Sequence, residues 1–365
     1  MRETLFVRHG RLHYFFREIF KRLRVPAPDA SKVADVLVAA DLAGVESQGV
    51  SRLCFIANRL SSNLINPRPN LKVVHQAPAA ATLDGDNGLG PVVAIAAMEI
   101  ALSKAERSGA ASVAVRRSND FGMAGYYARM AVEKQMIGIA MSNAAPSVVP
   151  PYGTRPLYGV NPLSIAIPTV EGTSPFVLDM CTSASSRGKI EEARARNESL
   201  PEGWAVDESG RPATDPEVAL RALRLLPLGS RPDTGSPKGF GLGLAVEILA
   251  GVLSGGAFGA ELSGAEGAKP GVAKLGHFFA AVRIRSFGPW APFRNRIAEM
   301  LGKITSSPAS GAPRVYFPGE LEYEIERRRR AEGIPLPPAV AGELQGMARG
   351  LDLHDAWEHL ITGRK

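Results

Sequence analysis

The sequence has few of the features that mark secreted, membrane-spanning or metal-binding proteins. Its 365 residues include two cysteines, Cys54 and Cys181, which are too few for a disulfide framework and suit a reducing cytoplasm. No apolar stretch reaches the roughly 18 residues that cross a bilayer, and the charged N-terminus lacks the apolar core of a signal peptide. No cluster of His, Cys, Asp and Glu has metal-ligand spacing. We therefore expect a cytoplasmic protein with no metal site and no membrane association.

Charge of one sign is in modest excess. The 43 Lys and Arg residues outnumber the 36 Asp and Glu residues and give a net charge of +7, which favours small anionic partners such as a dinucleotide or a carboxylate. The densest basic run, 327–330, follows a series of glutamates. Helical spacing predicts the ion pairs Glu324–Arg328 and Glu326–Arg330. This run is typical of a solvated, self-compensated helix, and we expect no nucleic-acid binding.

Apolar periodicity changes along the chain. Helical spacing is predicted over 10–24 and from about 29 to 44, whereas short alternating runs beginning near residue 72 predict strands. These strands alternate with helical segments such as 91–109 and 124–135, which indicates an α/β sheet. No predicted strand leads into G-x-G-x-x-G with an acidic residue about twenty positions later, so an ordinary Rossmann fold is not supported.

A loop rich in Pro, Gly and Ser is predicted over 226–238, and it ends in Lys238 and Gly239 at the start of a helix. Glycine permits close approach of the backbone to a ligand, and exposed N–H groups with a lysine attract anions. The pattern is not that of a Walker loop. Considered alone, it also fits an ordinary glycine-rich helix start.

Two further segments contain unusual polar residues. The first is Ser47-Gln48-Gly49-Val50-Ser51-Arg52, and the second is Ser118-Asn119-Asp120-Phe121-Gly122. From about residue 10 to 340 the chain resembles the malate/L-lactate dehydrogenase-like NAD(P) oxidoreductases. In that family both segments carry a histidine beside the reacting carbon, and here those positions hold Gln48 and Asp120.

The resemblance implies a fold and an assembly. We expect an α/β (α+β) protein with a non-Rossmann dinucleotide-binding domain built on a mixed sheet over 75–295. Helices from both termini, 1–74 and 296–365, would form a second, helical domain. The family also implies a homodimer and NAD or NADP as cofactor. The cofactor-binding residues implied by the resemblance are Asp179, Met180, Cys181, Lys189, Lys238, Gly239, Gly319, Glu320 and Leu321.

The resemblance also implies substrate contacts. Ser47 and Asn143 occupy family positions beside the substrate, and Arg52 presents a fork of donors suited to a carboxylate; a structural salt bridge is the alternative for Arg52. His277 is expected to be a packed, hydrogen-bonded histidine. Near the adenosine end, three arginines would suit the 2′-phosphate of NADP: Arg187, Arg194 and Arg196.

The two replaced histidines determine the functional hypothesis. Gln48 donates a hydrogen bond but does not usefully transfer a proton, and Asp120 is a general acid only if its pKa is raised far above about 3.9. An ionised Asp120 suits a cationic C=N group instead. We therefore expect an NAD(P)H-dependent reductase of an imine or iminium beside a carboxylate. The alternatives are a 2-hydroxy or 2-keto acid dehydrogenase with Asp120 as acid/base, or an inactive or repurposed dinucleotide-binding protein in a specialised biosynthetic pathway.

Overall fold

A mixed sheet of seven strands forms the centre of the computed structural model, which describes residues 4–263 and 271–362. The strand order is β2-β3-β4-β8-β5-β6-β7; β3 and β4 are parallel, and every other neighbouring pair is antiparallel. A separate two-stranded sheet pairs β1 with β9. The strands are β1 Leu5–Val7, β2 Lys72–Ala77, β3 Ala80–Asp84, β4 Ala110–Ser118, β5 Met136–Ser142, β6 Leu163–Ile167, β7 Phe176–Met180, β8 Leu275–Arg283 and β9 Ile334–Leu336.

Helices cover the sheet and form the terminal unit. The longest, α4 (Gly90–Ser108), has Pro91 in its first turn and is followed by Gly109, whose φ of 84° few other residues adopt. Its Ala, Val and Met side chains are buried against the sheet. The helices are α1 His9–Arg22, α2 Ala27–Leu42, α3 Leu53–Ser61, α4 Gly90–Ser108, α5 Ala124–Arg129, α6 Arg187–Ala195, α7 Pro216–Ala222, α8 Ser236–Ala250, α9 Trp290–Thr305, α10 Glu320–Glu332, α11 Pro338–Gly350 and α12 His354–Ile361.

The two ends of the chain share one hydrophobic core. Apolar side chains of α1, α2 and α3 pack with those of α11 and α12. Within this core, the rings of Phe15 and Trp357 meet edge to face at 6.0 Å. A helical unit built from both termini is therefore present, as predicted.

The predicted domain boundaries both fall inside regular elements. The boundary at 74/75 lies within β2, and the boundary at 295/296 lies within α9. Helix α9 belongs with the sheet, because Ile297 and Leu301 pack near Phe176 of β7. The chain returns to the terminal helices at α10.

A third, smaller cluster was not predicted. It joins Val148, Tyr158, Ile190 and Leu225 in a lobe formed by the long connections on either side of α6. The predicted loop after residue 226 ends where α8 begins, at Ser236.

Helix α8 corrects the prediction that no apolar segment is long enough to cross a bilayer. Within the described residues, one helical segment, Ser236–Ser254, is long and apolar enough to cross a membrane by length and composition. The segment contains the charged residues Lys238 and Glu247, but its mean hydropathy is still high enough for a membrane span. Core helices of soluble proteins pass the same test, and 39% of its most apolar window is buried inside the protein.

The ion pairs predicted within the glutamate-arginine helix, α10, are confirmed in part. Arg330 pairs with Glu326 at 2.7 Å, whereas Glu324 pairs with Arg314 at 2.5 Å and not with Arg328. Arg314 lies in the segment before α10, above the ring of Tyr316. This tertiary contact replaces the predicted pair within the helix.

Candidate active site

A buried carboxylate holds the loop between α2 and α3. Residues Glu46–Gln48 and Val50–Arg52 form two short 3₁₀ turns. Asp41, which is 1% exposed, accepts the N–H of Val50 with both carboxylate oxygens, at 3.1 and 2.9 Å. A Cβ at Gly49 would lie 2.0 Å from Oδ1 of Asp41, so only glycine fits there.

Arg329 of α10 holds the same loop from another side. Its Nη1 donates to the backbone carbonyl of Asp41 and its Nη2 donates to the carboxylate of Glu46, both at 2.5 Å. The two 3₁₀ turns are therefore tied both to α2 and to α10. The loop carries Ser47, Gln48 and Arg52.

The segment 118–122 is held by the turn that precedes α4. Asn119 donates through Nδ2 to the carbonyl of Gly88 at 2.8 Å and to that of Asn87 at 3.1 Å. A Cβ at Gly90 would lie 2.1 Å from the carbonyl oxygen of Asp120, so the backbones are in close contact. This packing fixes the position of Asp120.

The two held segments meet in an ion pair between Arg52 and Asp120. Their side chains are 31% and 34% exposed, and Oδ1 of Asp120 also accepts the N–H of Gly122 at 3.0 Å. Burial acts to raise the pKa of Asp120, but Arg52 and the Gly122 N–H outweigh burial, so the pKa lies below its ordinary value. Asp120 is therefore an anion at neutral pH.

Helix α3 adds a second guanidinium. Arg52 lies 4.6 Å from the ring centroid of Phe55, and Arg59 lies 5.7 Å from the same centroid. Arg59 interacts electrostatically with Asp120. Neither Arg59 nor Phe55 is among the residues predicted from the sequence, although the spacing 52, 55 and 59 places all three on one helical face.

One histidine lies beside the Asp120 segment. All six histidines lie in the described part of the chain, and His277 is the one that interacts with Asp120. Its ring nitrogens lie 2.9 Å from Oγ of Ser142 and 2.8 Å from Oγ of Ser118, and it stacks on Phe121. Burial lowers the pKa of His277 to about 3. The prediction of a packed, hydrogen-bonded histidine is confirmed.

The remaining predicted substrate residues differ in their surroundings. Asn143 is buried; its Nδ2 donates to the carbonyl of Ala257 at 3.0 Å and its Oδ1 accepts the N–H of Gly276 at 2.8 Å. These bonds give Asn143 a structural role, and its contact with a substrate stays a prediction. Gln48 is half-buried, and Ser47 is exposed, with its Cβ 3.2 Å from the place a Cβ would take at Gly188 of α6.

The predicted cofactor segments converge near the end of β7. Asp179 accepts the N–H of Gly125 at 2.7 Å, which links it to α5 and the Asp120 segment. Gly319 lies against Val177, because a Cβ there would be 2.8 Å from the Cβ of Val177. Gly239 lies against Leu228, whose N–H donates to the carbonyl of Thr182 at 3.0 Å.

The side chains of the predicted cofactor residues differ in their partners, their charge and their exposure. Glu320 accepts from Arg314 at 2.9 Å. Burial raises the pKa of Cys181 to about 11, so Cys181 is a neutral thiol. Lys238 and Leu321 are exposed and Met180 is half-buried. Of the three arginines suggested for a 2′-phosphate, Arg187 pairs with Glu191 and Arg194 lies 3.8 Å from Glu217.

Comparison with known proteins identifies the class. The family model described as malate/L-lactate dehydrogenase matches residues 7–345. A malate dehydrogenase from Pyrococcus abyssi is 40% identical over 93% of this chain and 92% of its own length. A ureidoglycolate dehydrogenase (NAD(+)) from Escherichia coli O157:H7 is 35% identical over 84% of this chain and 85% of its own length.

Solved structures agree with the sequence relatives. A malate dehydrogenase from Entamoeba histolytica superposes with a TM-score of 0.91 at 31% identity, covering 96% of this chain and 99% of that one. The Δ1-piperideine-2-carboxylate reductase from Pseudomonas syringae pvar. tomato superposes with a TM-score of 0.82 at 26% identity, covering 94% and 100%. This chain belongs to the malate/L-lactate dehydrogenase family of oxidoreductases. The predicted cofactor class, NAD or NADP, is that of the family.

The buried carboxylate of Asp41 predicts a pH dependence of stability. Burial and the nearby Glu46 raise its pKa to about 8 from 3.8, against the Val50 N–H and Arg329. The folded protein then holds a proton that the unfolded chain releases, so the contribution of Asp41 is full below about pH 4 and lost as the pH rises towards 8. Asp41→Asn, which stays neutral, should make stability less dependent on pH in this range.

Urea unfolding at pH 5 and pH 8 measures this effect. The free energy of unfolding should fall more between these values in the wild type than in Asp41→Asn. The exposed Asp352→Asn is the control and should behave like the wild type. Equal pH dependence of Asp41→Asn and the wild type would contradict the assignment.

Proposed function

We propose that the protein is an NAD(P)H-dependent reductase of a C=N bond beside a carboxylate. The supporting observation is the ion pair with Arg52, which keeps Asp120 ionised. A carboxylate anion stabilises a protonated imine and is a poor proton donor to an alkoxide. The structural likeness to the Δ1-piperideine-2-carboxylate reductase fits this chemistry.

The site's own residues have simple roles in this proposal. Asp120 stabilises the positive charge of the iminium through its carboxylate, and Arg52 holds Asp120 in place and in its ionised form. Gln48 donates a hydrogen bond from its amide. The product amine needs no further proton during reduction, so the absence of both histidines leaves this step intact.

A second candidate is favoured by the relatives, several of which are malate dehydrogenases. A 2-hydroxy acid dehydrogenase would need Asp120 to exchange a proton with the substrate oxygen. The lowered pKa of Asp120 makes it a weak base for that purpose. We therefore place C=N reduction first and 2-hydroxy acid oxidation second.

A screen of reduced-cofactor oxidation separates the two candidates. Cyclic imino acids, pyruvate with methylamine, and 2-keto acids are compared with both NADH and NADPH. We expect turnover of the C=N substrates, and we expect Asp120→Asn to lower their kcat by about 10²-fold, as when one electrostatic group is removed from an active site.

The exposed Asp352→Asn serves again as the control and should retain full activity. Turnover confined to 2-keto acids, lost with Asp120→Asn, would establish the second candidate instead. Tight binding of reduced dinucleotide without turnover of any compound would indicate an inactive or repurposed protein.

We further propose that the segments converging near β7 hold the dinucleotide. Lys189 and Lys238 suit its phosphates, because within the described residues neither has a carboxylate at ion-pair distance. Gly239 permits the close packing of α8 on Leu228. When bound, the reduced nicotinamide supplies the hydride.

Lys238→Gln tests this site. The substitution removes one phosphate contact and should weaken binding of the reduced dinucleotide about tenfold, given the usual strength of hydrogen bonds to charged groups. Cofactor fluorescence titration gives the Kd. Lys303→Gln, at an exposed position paired with Glu299, is the control, and equal affinities in the two variants would contradict the placement of the phosphates.

The exposed side of α8 supports a homodimer. Leu244 and Ile248 lie one turn apart on α8 and are 41% and 48% exposed, and Val252, in the 3₁₀ turn that follows α8, is 49% exposed. An apolar patch of this kind on a protein surface marks an interaction site. We propose that a second copy of the chain covers it. The cytoplasmic location stays our proposal, and both cysteines are free thiols, as a reducing compartment requires.

Sedimentation of the purified protein tests the homodimer. The wild type should sediment as a dimer, and Ile248→Asp should sediment as a monomer because a charge is then placed in the apolar contact. Phe287→Asp, at a ring that is 82% exposed, should leave the dimer intact. A monomeric wild type at micromolar concentration, or its partition into lipid vesicles, would contradict the proposal.

A further inference from the structure

Helix α10 connects the substrate loop, residues 46–52, with the segments proposed to hold the dinucleotide. The helix begins with Glu320 and Leu321, which are two of the residues proposed to contact the cofactor. The preceding Gly319 lies against β7, since a Cβ there would be 2.8 Å from the Cβ of Val177. The start of α10 is therefore part of the proposed dinucleotide site.

The other end of α10 is fixed to the substrate loop. Nη1 of Arg329 donates to the backbone carbonyl of Asp41 and Nη2 donates to the carboxylate of Glu46, both at 2.5 Å. One turn earlier, Ile325 packs on Gly44 at the end of α2, where a Cβ would lie 3.2 Å from two carbons of the isoleucine side chain. The side chain of Arg329 is 13% exposed and that of Glu46 is 52% exposed. The arginine is thus enclosed by the protein, and the loop is held to it.

A buried ion pair holds α10 between its ends. Glu326 is 9% exposed and accepts from Nη1 of Arg129 at 3.1 Å. Arg129 is the last residue of α5, the helix that follows the Asp120 segment. From Glu320 to Arg329 the axis of α10 rises about 14 Å. The helix is therefore a short rod that is fixed at the proposed cofactor site, at α5 and at the substrate loop.

We propose that Arg329 is a positioning residue that places the substrate loop relative to the bound dinucleotide. The dinucleotide restrains the first turn of α10, and Arg329 extends this restraint to Glu46 and to the backbone at Asp41. When one ligand has already ordered a segment, a second ligand binds with a smaller entropic cost. The loop that carries Gln48 and Arg52 is therefore better ordered for substrate when the dinucleotide is present.

The substrate loop also has a direct contact with the cofactor side of the molecule. Ser47 lies against Gly188 of α6, where a Cβ would be 3.2 Å from the Cβ of Ser47. A dinucleotide that contacts the loop on this side would order it without the help of α10. A test of the proposal must therefore remove the contact of Arg329 and leave α6 intact.

Hydrogen exchange in the full-length protein tests the role of Arg329. Exchange in the peptide that covers the substrate loop is followed with and without saturating NADH or NADPH, whichever binds more tightly. In the wild type, the dinucleotide should slow exchange of the hydrogen-bonded amides of Gln48, Val50 and Arg52 about tenfold. Arg329→Gln should abolish this protection, and Arg329→Lys should restore part of it because one charged donor remains.

Arg330→Gln is the matched control, since Arg330 is the next residue of the same helix and pairs with Glu326 at 2.7 Å. It should keep the full protection. Glu46→Ala removes the solvent-facing partner of Arg329 and should lose part of the protection, which provides a second test if Arg329→Gln is poorly folded. Unchanged protection in Arg329→Gln would overturn the proposal. So would a wild type that binds the dinucleotide without any protection of the loop.

This inference rests on the proposed dinucleotide site, but it can fail separately from the proposed reaction. Hydrogen exchange needs no turnover, so protection that depends on Arg329 is expected whichever bond is reduced. Turnover of imines by a protein whose loop gains no protection would overturn the inference and leave the proposed reaction in place. Protection without turnover of any imine would keep the inference and count against that reaction. A wild type that binds neither dinucleotide would overturn both.

Discussion

The ion pair between Arg52 and Asp120 is the interaction on which the site depends. It joins two segments 68 positions apart in the chain, and it keeps the carboxylate of Asp120 ionised. Arg52 lies in the loop that is hydrogen-bonded to Asp41. Asp120 lies next to Asn119, which is hydrogen-bonded to the turn before α4. The buried groups therefore maintain the geometry, and the partly exposed pair is the place of the proposed chemistry.

This pair bears on the hypothesis that Gln48 and Asp120 stand where the family has two histidines. Histidine handles protons near neutral pH, whereas an ionised aspartate mainly supplies negative charge. His277 provides no substitute, since both of its ring nitrogens are bonded to serines and burial keeps it neutral. The described site thus presents the negative charge of Asp120 beside the guanidinium of Arg52.

Much of the architecture follows from local patterns in the sequence. Short, nearly continuous apolar runs predict the strands β5, Met136–Ser142, and β7, Phe176–Met180, because runs of this length suit strands better than helices. Tertiary contacts account for the failures. The boundary at 295/296 stays a prediction and falls inside α9, whose Ile297 packs near the sheet, whereas Glu324 pairs with Arg314 from outside its helix. Similarly, the spacing of Phe55 and Arg59 predicts a shared helical face, while the interaction of Arg59 with Asp120 depends on contacts between distant segments.

The charge of Asp120 is the central claim, and carboxyl ¹³C NMR of aspartate-labelled protein measures it directly. The Asp120 resonance is assigned from its absence in Asp120→Asn, and its chemical shift is followed against pH. The account predicts a carboxylate whose half-titration lies below the ordinary 3.8 and moves upward in Arg52→Gln. Protonation of Asp120 between pH 6 and 8 in the wild type would contradict it and would restore a general acid at this position.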